Sequence, residues 1–153
     1  MTTKPTKSKP AALTKVQLEK LAAFRYQLRR YLRFSEQLSR RHGLTPLQYQ
    51  LLLQIEGFPK REWATVSELA ERLQAKHNAV VSLVTRCEKL GLVTRESSSI
   101  DRREVHVRLT ASGERRLAQL AGPHRAELKT LQRDLSLREM FADRDDESSA
   151  GSP

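Results

Sequence analysis

Apolar residues recur along this chain at two spacings, and their order outlines a small helical domain with a β-ribbon. Between Thr14 and His42 there is neither proline nor glycine, and Leu18, Leu21, Leu28, Tyr31, Leu32 and Leu38 recur at helical spacing. Phe24 and Phe34 widen the apolar surface beyond one stripe, and Gly43 is placed as a helix stop. A helix this long, apolar over more than one side, is suited to packing on a second subunit as well as on its own domain. Thr45-Pro46 opens a second helix. Thr45 can cap it, Pro46 suits the first turn, and Gln48 stands where a capping box needs it. Tyr49, Leu52, Leu53 and Ile55 follow, and Gly57-Phe58-Pro59 ends it. Beyond the polar connector Lys60-Arg61-Glu62, Trp63-Ala64 is a candidate for a short strand.

The next stretch, Thr65 to Leu109, reads helix, tight turn, helix, ribbon. Thr65 and Glu68 have capping-box spacing, with Ser67 as a competing cap, and Val66, Leu69, Ala70 and Leu73 form a buried side. Leu73 to Asn78 joins this helix to a fourth, His77 to about Leu90, on which Val80, Leu83, Val84, Cys87 and Leu90 gather on one side. Gly91 stops it. Leu92 to Glu96 and Glu104 to Leu109 read as paired strands, the second alternating Val105, Val107 and Leu109 with Glu104, His106 and Arg108. Thr110 caps a fifth helix with a stripe of Leu117, Leu120, Ala121, Leu128, Leu131 and Leu135 that runs through His124. Gly122-Pro123 interrupts the stripe, and a kink or a break is expected there.

The expected fold is therefore mainly α with a small β-ribbon: a winged helix-turn-helix flanked by long N- and C-terminal helices that form a dimerisation region. The expected organisation is a disordered basic arm at 1–13, one domain at 14–137, and an acidic disordered tail at 138–153. Within the domain, 65–109 is the expected DNA-binding core, and 14–43 and 110–137 the dimerisation helices.

Charge narrows the range of partners. The 153 residues carry a formal net charge of +10, which favours polyanions. No apolar run approaches the ~20 residues needed to span a bilayer, so no membrane partner is expected. Met1 to Pro5 leads into polar residues rather than an apolar signal core. Cys87 is alone, which excludes an intramolecular disulfide and fits a reducing, cytoplasmic setting.

The fourth helix carries the candidate chemistry. Opposite its apolar side lie Asn78, Ser82, Thr85 and Lys89, with Val81 and Arg86 at the margins and Lys76 just before. Short polar side chains let a helix approach base edges, whereas acids there would repel phosphates. Asn78 can pair bidentately with adenine, Val81 can sit against a thymine methyl, and Lys76, Arg86 and Lys89 suit phosphates. Between the strands, Ser97 to Arg103 is too polar for a core and too long for a tight turn. Arg102 and Arg103 at such a tip can enter a narrow minor groove, while Asp101 is suited to orienting a neighbouring arginine or backbone amide. An ordinary solvated helix face and an exposed charged loop remain the alternatives.

Five helices and a wing in this order, with five short matches, resemble the MarR family of bacterial winged-helix regulators. The matches are Leu44-Thr45-Pro46-Leu47-Gln48-Tyr49, Val66-Ser67-Glu68-Leu69-Ala70-Glu71-Arg72-Leu73, Val84 to Val93, Asp101-Arg102-Arg103 and Leu109-Thr110-Ala111-Ser112-Gly113. The resemblance spans roughly Ala22 to Leu135. It implies a homodimer on a pseudo-palindromic, inverted-repeat DNA operator, usually a repressor, often released by a small-molecule effector. It also implies that Arg103, with Arg102 beside it, reaches the minor groove. The chain departs from the family pattern in three ways. Ser82 stands where an arginine is frequent, the helix after the fifth is barely represented, and Gly122-Pro123 falls in a helix that is commonly continuous.

Other chemistry is thinly represented. Cys87 lies on the apolar side of its helix, so a buried structural thiol is expected rather than a redox sensor. His42, His77, His106 and His124 show no close ligand spacing, and no phosphate loop or nucleophile motif is present. No enzyme activity, metal or cofactor is expected. Tyr31, Phe34 and Tyr49 lie where an effector would bind but read first as core, so no ligand site is assigned. The competing functional readings are a winged-helix module for protein or RNA, and non-specific architectural DNA binding.

Overall fold

The computed structural model describes residues 12–134. The basic arm up to residue 11, the end of the fifth-helix stripe at Leu135 and the acidic tail lie outside the described residues. The elements run α1 (Lys15–Arg41), α2 (Pro46–Glu56), α3 (Val66–Leu73), α4 (His77–Lys89), β1 (Val93–Ser97), β2 (Val105–Leu109) and α5 (Ala111–Asp134). Among the described residues, no helix is long and apolar enough to cross a membrane.

Local chemistry sets the helix boundaries. Thr14, Thr45 and Thr65 each cap a helix through a full capping box, with Gln17, Gln48 and Glu68 reaching back to the cap amide. Ser67 does not compete: Thr65 is the cap of α3. Gly43 and Gly91 stand at φ 73° and 70°, the left-handed backbone that ends α1 and α4 at little steric cost. Gln74 takes the same conformation at φ 50° to turn α3 into α4.

One apolar cluster holds the body together. Leu51, Leu52 and Ile55 of α2, Leu69 of α3, Val80, Val84 and Cys87 of α4, Val107 of β2 and Leu120 of α5 are all buried at 0–1% exposure. β1 and β2 pair antiparallel, Val93 opposite Leu109 and Ser97 opposite Val105. The expected strand at Trp63-Ala64 contracts to one bridge, in which Ala64 and Val107 exchange both backbone hydrogen bonds. Beside it, aromatic and cationic groups stack alternately. The Arg61 guanidinium lies 4.0 Å from the Phe58 ring and 3.9 Å from Trp63, Arg72 covers Phe58 at 4.3 Å, and His106 stacks on Trp63 at 3.4 Å. Arg61 also pairs with Glu68. Burial alone would raise the pKa of Glu68, but the Thr65 amide and Arg61 outweigh it and hold the carboxyl below its usual range.

α5 leaves the ribbon through Thr110, which donates to the Gly91 carbonyl and accepts from the Gly113 amide. Gly113 allows this approach: a Cβ there would stand 2.1 Å from the Leu92 carbonyl oxygen. The expected interruption at Gly122-Pro123 does not break α5, which runs through both residues. Both are exposed, as is Gln119, so water can satisfy the carbonyl that the proline leaves without a donor. His124 is buried against α1 and α2. Its ring stacks on Tyr49 at 4.3 Å, meets Phe34 edge-on, and sits 2.7 Å from both the Leu120 carbonyl and the Ser35 hydroxyl. The carbonyl can only accept, so Nδ1 carries a proton, and in the neutral ring Nε2 accepts from Ser35. Tyr49 is thus core, and burial pushes its hydroxyl up to about 12.

The expected apolar stripes of α4 and β2 each leave one member outside the core. Leu90 caps α4 and is exposed rather than buried with Val80 and Val84, because the chain has already turned toward Gly91. Val105 at the outer end of the ribbon is also exposed, leaving Val107 as the anchor of β2.

Candidate nucleic-acid interface

The turn from α3 to α4 sets the orientation of α4. Leu69 anchors α3, and Val80, Leu83, Val84 and Cys87 bury one side of α4, so its other side is turned to solvent. On that side Asn78, Ser82 and Lys89 are exposed, Val81 is just exposed, and Thr85 is half-buried. Lys76, exposed, is the N-cap residue, with no side-chain capping bond. The Ser82 hydroxyl donates to the Asn78 carbonyl at 3.1 Å. Among the described residues, no hydrogen bond or ion pair engages the side chains of Asn78, Lys76, Lys89 or Arg86. Arg86 stands apart from this group. It borders a hollow of about 430 Å³ with Thr45, Pro46, Leu47, Gln48 and Leu83, toward the start of α2.

Thr85 is engaged within the protein. Its hydroxyl donates to the Val81 carbonyl at 2.9 Å and accepts from Arg95 Nη2 at 2.9 Å. Arg95 comes from β1 and also donates to the Val81 carbonyl and to Glu88 Oε1, at 3.2 and 3.1 Å. One guanidinium therefore ties the ribbon to the flank of α4, and Glu88 is drawn to that flank rather than toward the polar face. Sequence reasoning missed Arg95. Its signal was a polar residue at mid-strand, seven residues from an acid at the end of the preceding helix, and only the fold shows that the two meet.

The wing is a built turn. Ser98, 6% exposed, accepts the amides of Ile100 and Asp101 at its Oγ, at 3.2 and 3.3 Å. Asp101 Oδ1 accepts the Arg103 amide at 2.9 Å, and the Glu104 amide donates to the Asp101 carbonyl at 3.0 Å. The Asp101 carboxylate is thereby turned to the backbone of its own loop. The side chains of Arg102 and Arg103 are exposed and have no hydrogen bond or ion pair among the described residues. By contrast Arg61, Arg72, Arg95 and Arg108 are each bound by partners in the body. Asp101 and Arg103 also line a cleft of about 560 Å³ with Thr65, Ser67 and His77, so the wing base faces the starts of α3 and α4.

Cys87 offers little to redox chemistry. It is fully buried, and burial, opposed in part by Arg86, pushes its thiol up to about 11. Among the described residues, no group of three or more His, Cys, Asp and Glu side chains is placed to hold a metal ion.

Comparison with known proteins gives this arrangement a context. Residues 42–104 match the family model described as MarR family. The chain is 30% identical over 86 residues to the HTH-type transcriptional repressor MdtR of Bacillus subtilis, covering 56% of this chain and 54% of that protein. The chain spans about half the length of the curated relatives it matches. The fold is that of AbsC, a MarR family transcriptional regulator from Streptomyces coelicolor, with a TM-score of 0.69 at 23% identity over 85% of this chain and 88% of that one. It is equally that of Sco3205 from the same organism, solved in complex with DNA, with a TM-score of 0.69 at 23% identity over 87% and 84%.

Proposed function

We propose, from the match of residues 42–104 to the MarR family model, that this chain is a MarR-type, sequence-specific, double-stranded DNA-binding transcriptional repressor. It acts as a homodimer on an inverted-repeat operator, in the cytoplasm of a bacterial cell, and a small-molecule signal releases it. α4 enters the major groove with Asn78, Val81 and Ser82 toward base edges, while Lys76, Lys89 and Arg86 hold phosphates. The wing lies alongside with Arg102 and Arg103 at the minor groove. Thr85 and Arg95 hold the angle between helix and ribbon, so Thr85 acts by position more than by contact. The reading assigns no catalysis.

One observation carries it. Arg61, Arg72, Arg95 and Arg108 are bound within the body, while the cations of α4 and the wing tip are left to solvent on elements that a single guanidinium locks together. Unpaired cations on a rigid, two-part surface suit a rigid polyanion. MdtR is named a repressor and Sco3205 was solved with DNA, which supports extending the same role to this chain.

The dimer reading rests on α1. Val16, Leu18, Leu21, Tyr26 and Leu32 are exposed there, and Leu128 on α5. A second copy laid along α1 and α5 would cover these side chains, giving 14–43 and 110–137 their dimerisation role and leaving 65–109 for DNA.

Selection of bound sequences from random duplex DNA at physiological salt tests the reading. An enriched inverted repeat, with affinity falling steeply as salt rises, is the expected result. Salt-sensitive binding without a motif would reduce the protein to an architectural binder. No binding to duplex DNA would turn the reading toward RNA or protein.

A further inference from the structure

The wing tip carries a side chain that charge does not explain. Ile100 is 97% exposed, more than any other large hydrophobic residue among those described. Most of the other strongly exposed apolar residues lie on or beside α1 and α5, where a second copy accounts for them. Ile100 belongs to a different part of the molecule. Its position is built: the Ile100 amide is held by the buried Ser98 hydroxyl, which also takes the next amide, and Asp101 in turn holds the amide of Arg103. The backbone of the tip is thus fixed from Ser98 to Glu104. A β-branched side chain has few rotamers, so Ile100 is a stiff apolar prong. Arg102 and Arg103, without partners, follow it within three residues.

We infer that Ile100 is a specificity-determining contact that seats against the floor of the DNA minor groove at an A·T step. The inference rests on the DNA-binding reading and adds a reader to it. The flanking arginines bring the tip to the groove, where the potential is most negative. The floor of the groove is then what an aliphatic prong meets. At A·T and T·A pairs that floor shows only acceptors, whereas G·C adds the guanine 2-amino donor. That amino group projects into the groove, and an aliphatic side chain over it would strip its water without offering a hydrogen bond. The wing should therefore impose an A·T preference at positions flanking each half-site, outside the bases that α4 reads.

The test uses the full-length chain and duplexes built on the operator that selection from random DNA yields. At the flanking positions A·T is replaced by G·C or by inosine·cytosine. The latter keeps the major-groove pattern of G·C but lacks the 2-amino group. The wild-type chain should bind the inosine duplex as it binds A·T and lose about tenfold on G·C, the scale of one mismatched pair. Ile100→Ala and Ile100→Ser, both at a solvent-exposed tip, should keep the α4 motif and the melting temperature while losing this discrimination. Equal wild-type affinity for G·C and inosine·cytosine flanks would overturn the inference, as would undiminished discrimination in both variants. Either result would leave the DNA-binding reading intact. Absence of any duplex binding by the wild-type chain would overturn both.

Discussion

The winged body and the α1–α5 pair are built from similar sequence material, yet they reach different degrees of completion. In the body, leucines and valines from four helices and both strands converge on one cluster, most of them fully buried. In α1, 27 residues long, the only buried residue is Ser39, while several of its leucines face solvent. α1 meets the core through Phe34, Ser35 and Leu38, and farther up its length Gln27, Arg30 and Tyr31 border α5 beside Glu127 and Leu131. A hollow of about 750 Å³ is bordered by α1 alone, from Arg25 to Glu36, and is the uncovered side of a helix rather than a pocket. The difference teaches that amphipathic patterning specifies burial but not by what. In the body the partner is the same chain, and along α1 the partner is supplied from outside.

Four variants probe that contrast, from the largest effect down. Leu52→Ala, at a fully buried position in α2, should lower the unfolding free energy by about 2–5 kcal/mol in chemical denaturation. That is a large share of a domain's stability. A loss under about 1 kcal/mol, less than any buried Leu→Ala on that scale, would mean that the body is not the self-sufficient unit. The double variant Leu21→Glu with Leu128→Glu places charge on the exposed apolar side of α1 and α5. It should shift the chain from dimer to monomer in sedimentation and leave the near-ultraviolet signature of the body in place. Unfolding of the body in this variant would erase the distinction between the two regions.

Asn78→Ala sharpens the contrast from the other side, since it touches neither core nor α1. Operator preference should relax by ~1–3 kcal/mol at one base position, with stability unchanged. An unaltered selected motif would remove Asn78 as a reader. The smallest effect is expected of Glu68→Gln. Glutamine keeps the capping geometry of α3 but loses the charge beside Arg61. The Glu68 carboxyl is held below its usual range in the folded state. Its stabilisation is therefore present above the unfolded-state pKa and is lost as pH falls through the folded one. The variant should melt slightly below the wild type at neutral pH and converge with it in acid. A melting difference that does not shrink on acidification would rule the charge out as its source.

The comparison also separates what the residue pattern made legible from what it did not. The helix starts at Thr45 and Thr65 could be read because a capping box is closed by residues three positions apart, whereas the same box at Thr14 and Gln17 went unread beside the long apolar stripe. The polar face of α4 was legible for the same reason: helical geometry alone brings Asn78, Ser82 and Thr85 to one side. What failed was burial at the margins. Leu90 belongs to the apolar stripe by periodicity, but the chain leaves the helix there. Gly122-Pro123 has the composition of a break, but both residues face water, where a proline's missing hydrogen bond is readily tolerated. Thr85 is a plausible base reader by position, and Arg95, ten residues on, takes its hydroxyl.

The sequence by itself determined the order and starts of the helices, the turns at Gly43 and Gly91, the ribbon, and the basic character of the tip. Each of these follows from interactions within a few residues, whose geometry is nearly independent of the rest of the chain. Tertiary structure alone decided the locking of the wing to α4 by Arg95, the alternating stack of Arg72, Phe58, Arg61, Trp63 and His106, and the meeting of His124 with Ser35, 89 residues apart. It also decided the fit of Gly113 under the Leu92 carbonyl. Many residue types could satisfy each of these contacts in isolation. Which ones meet depends on how the elements pack, and one sequence carries no local signal of that.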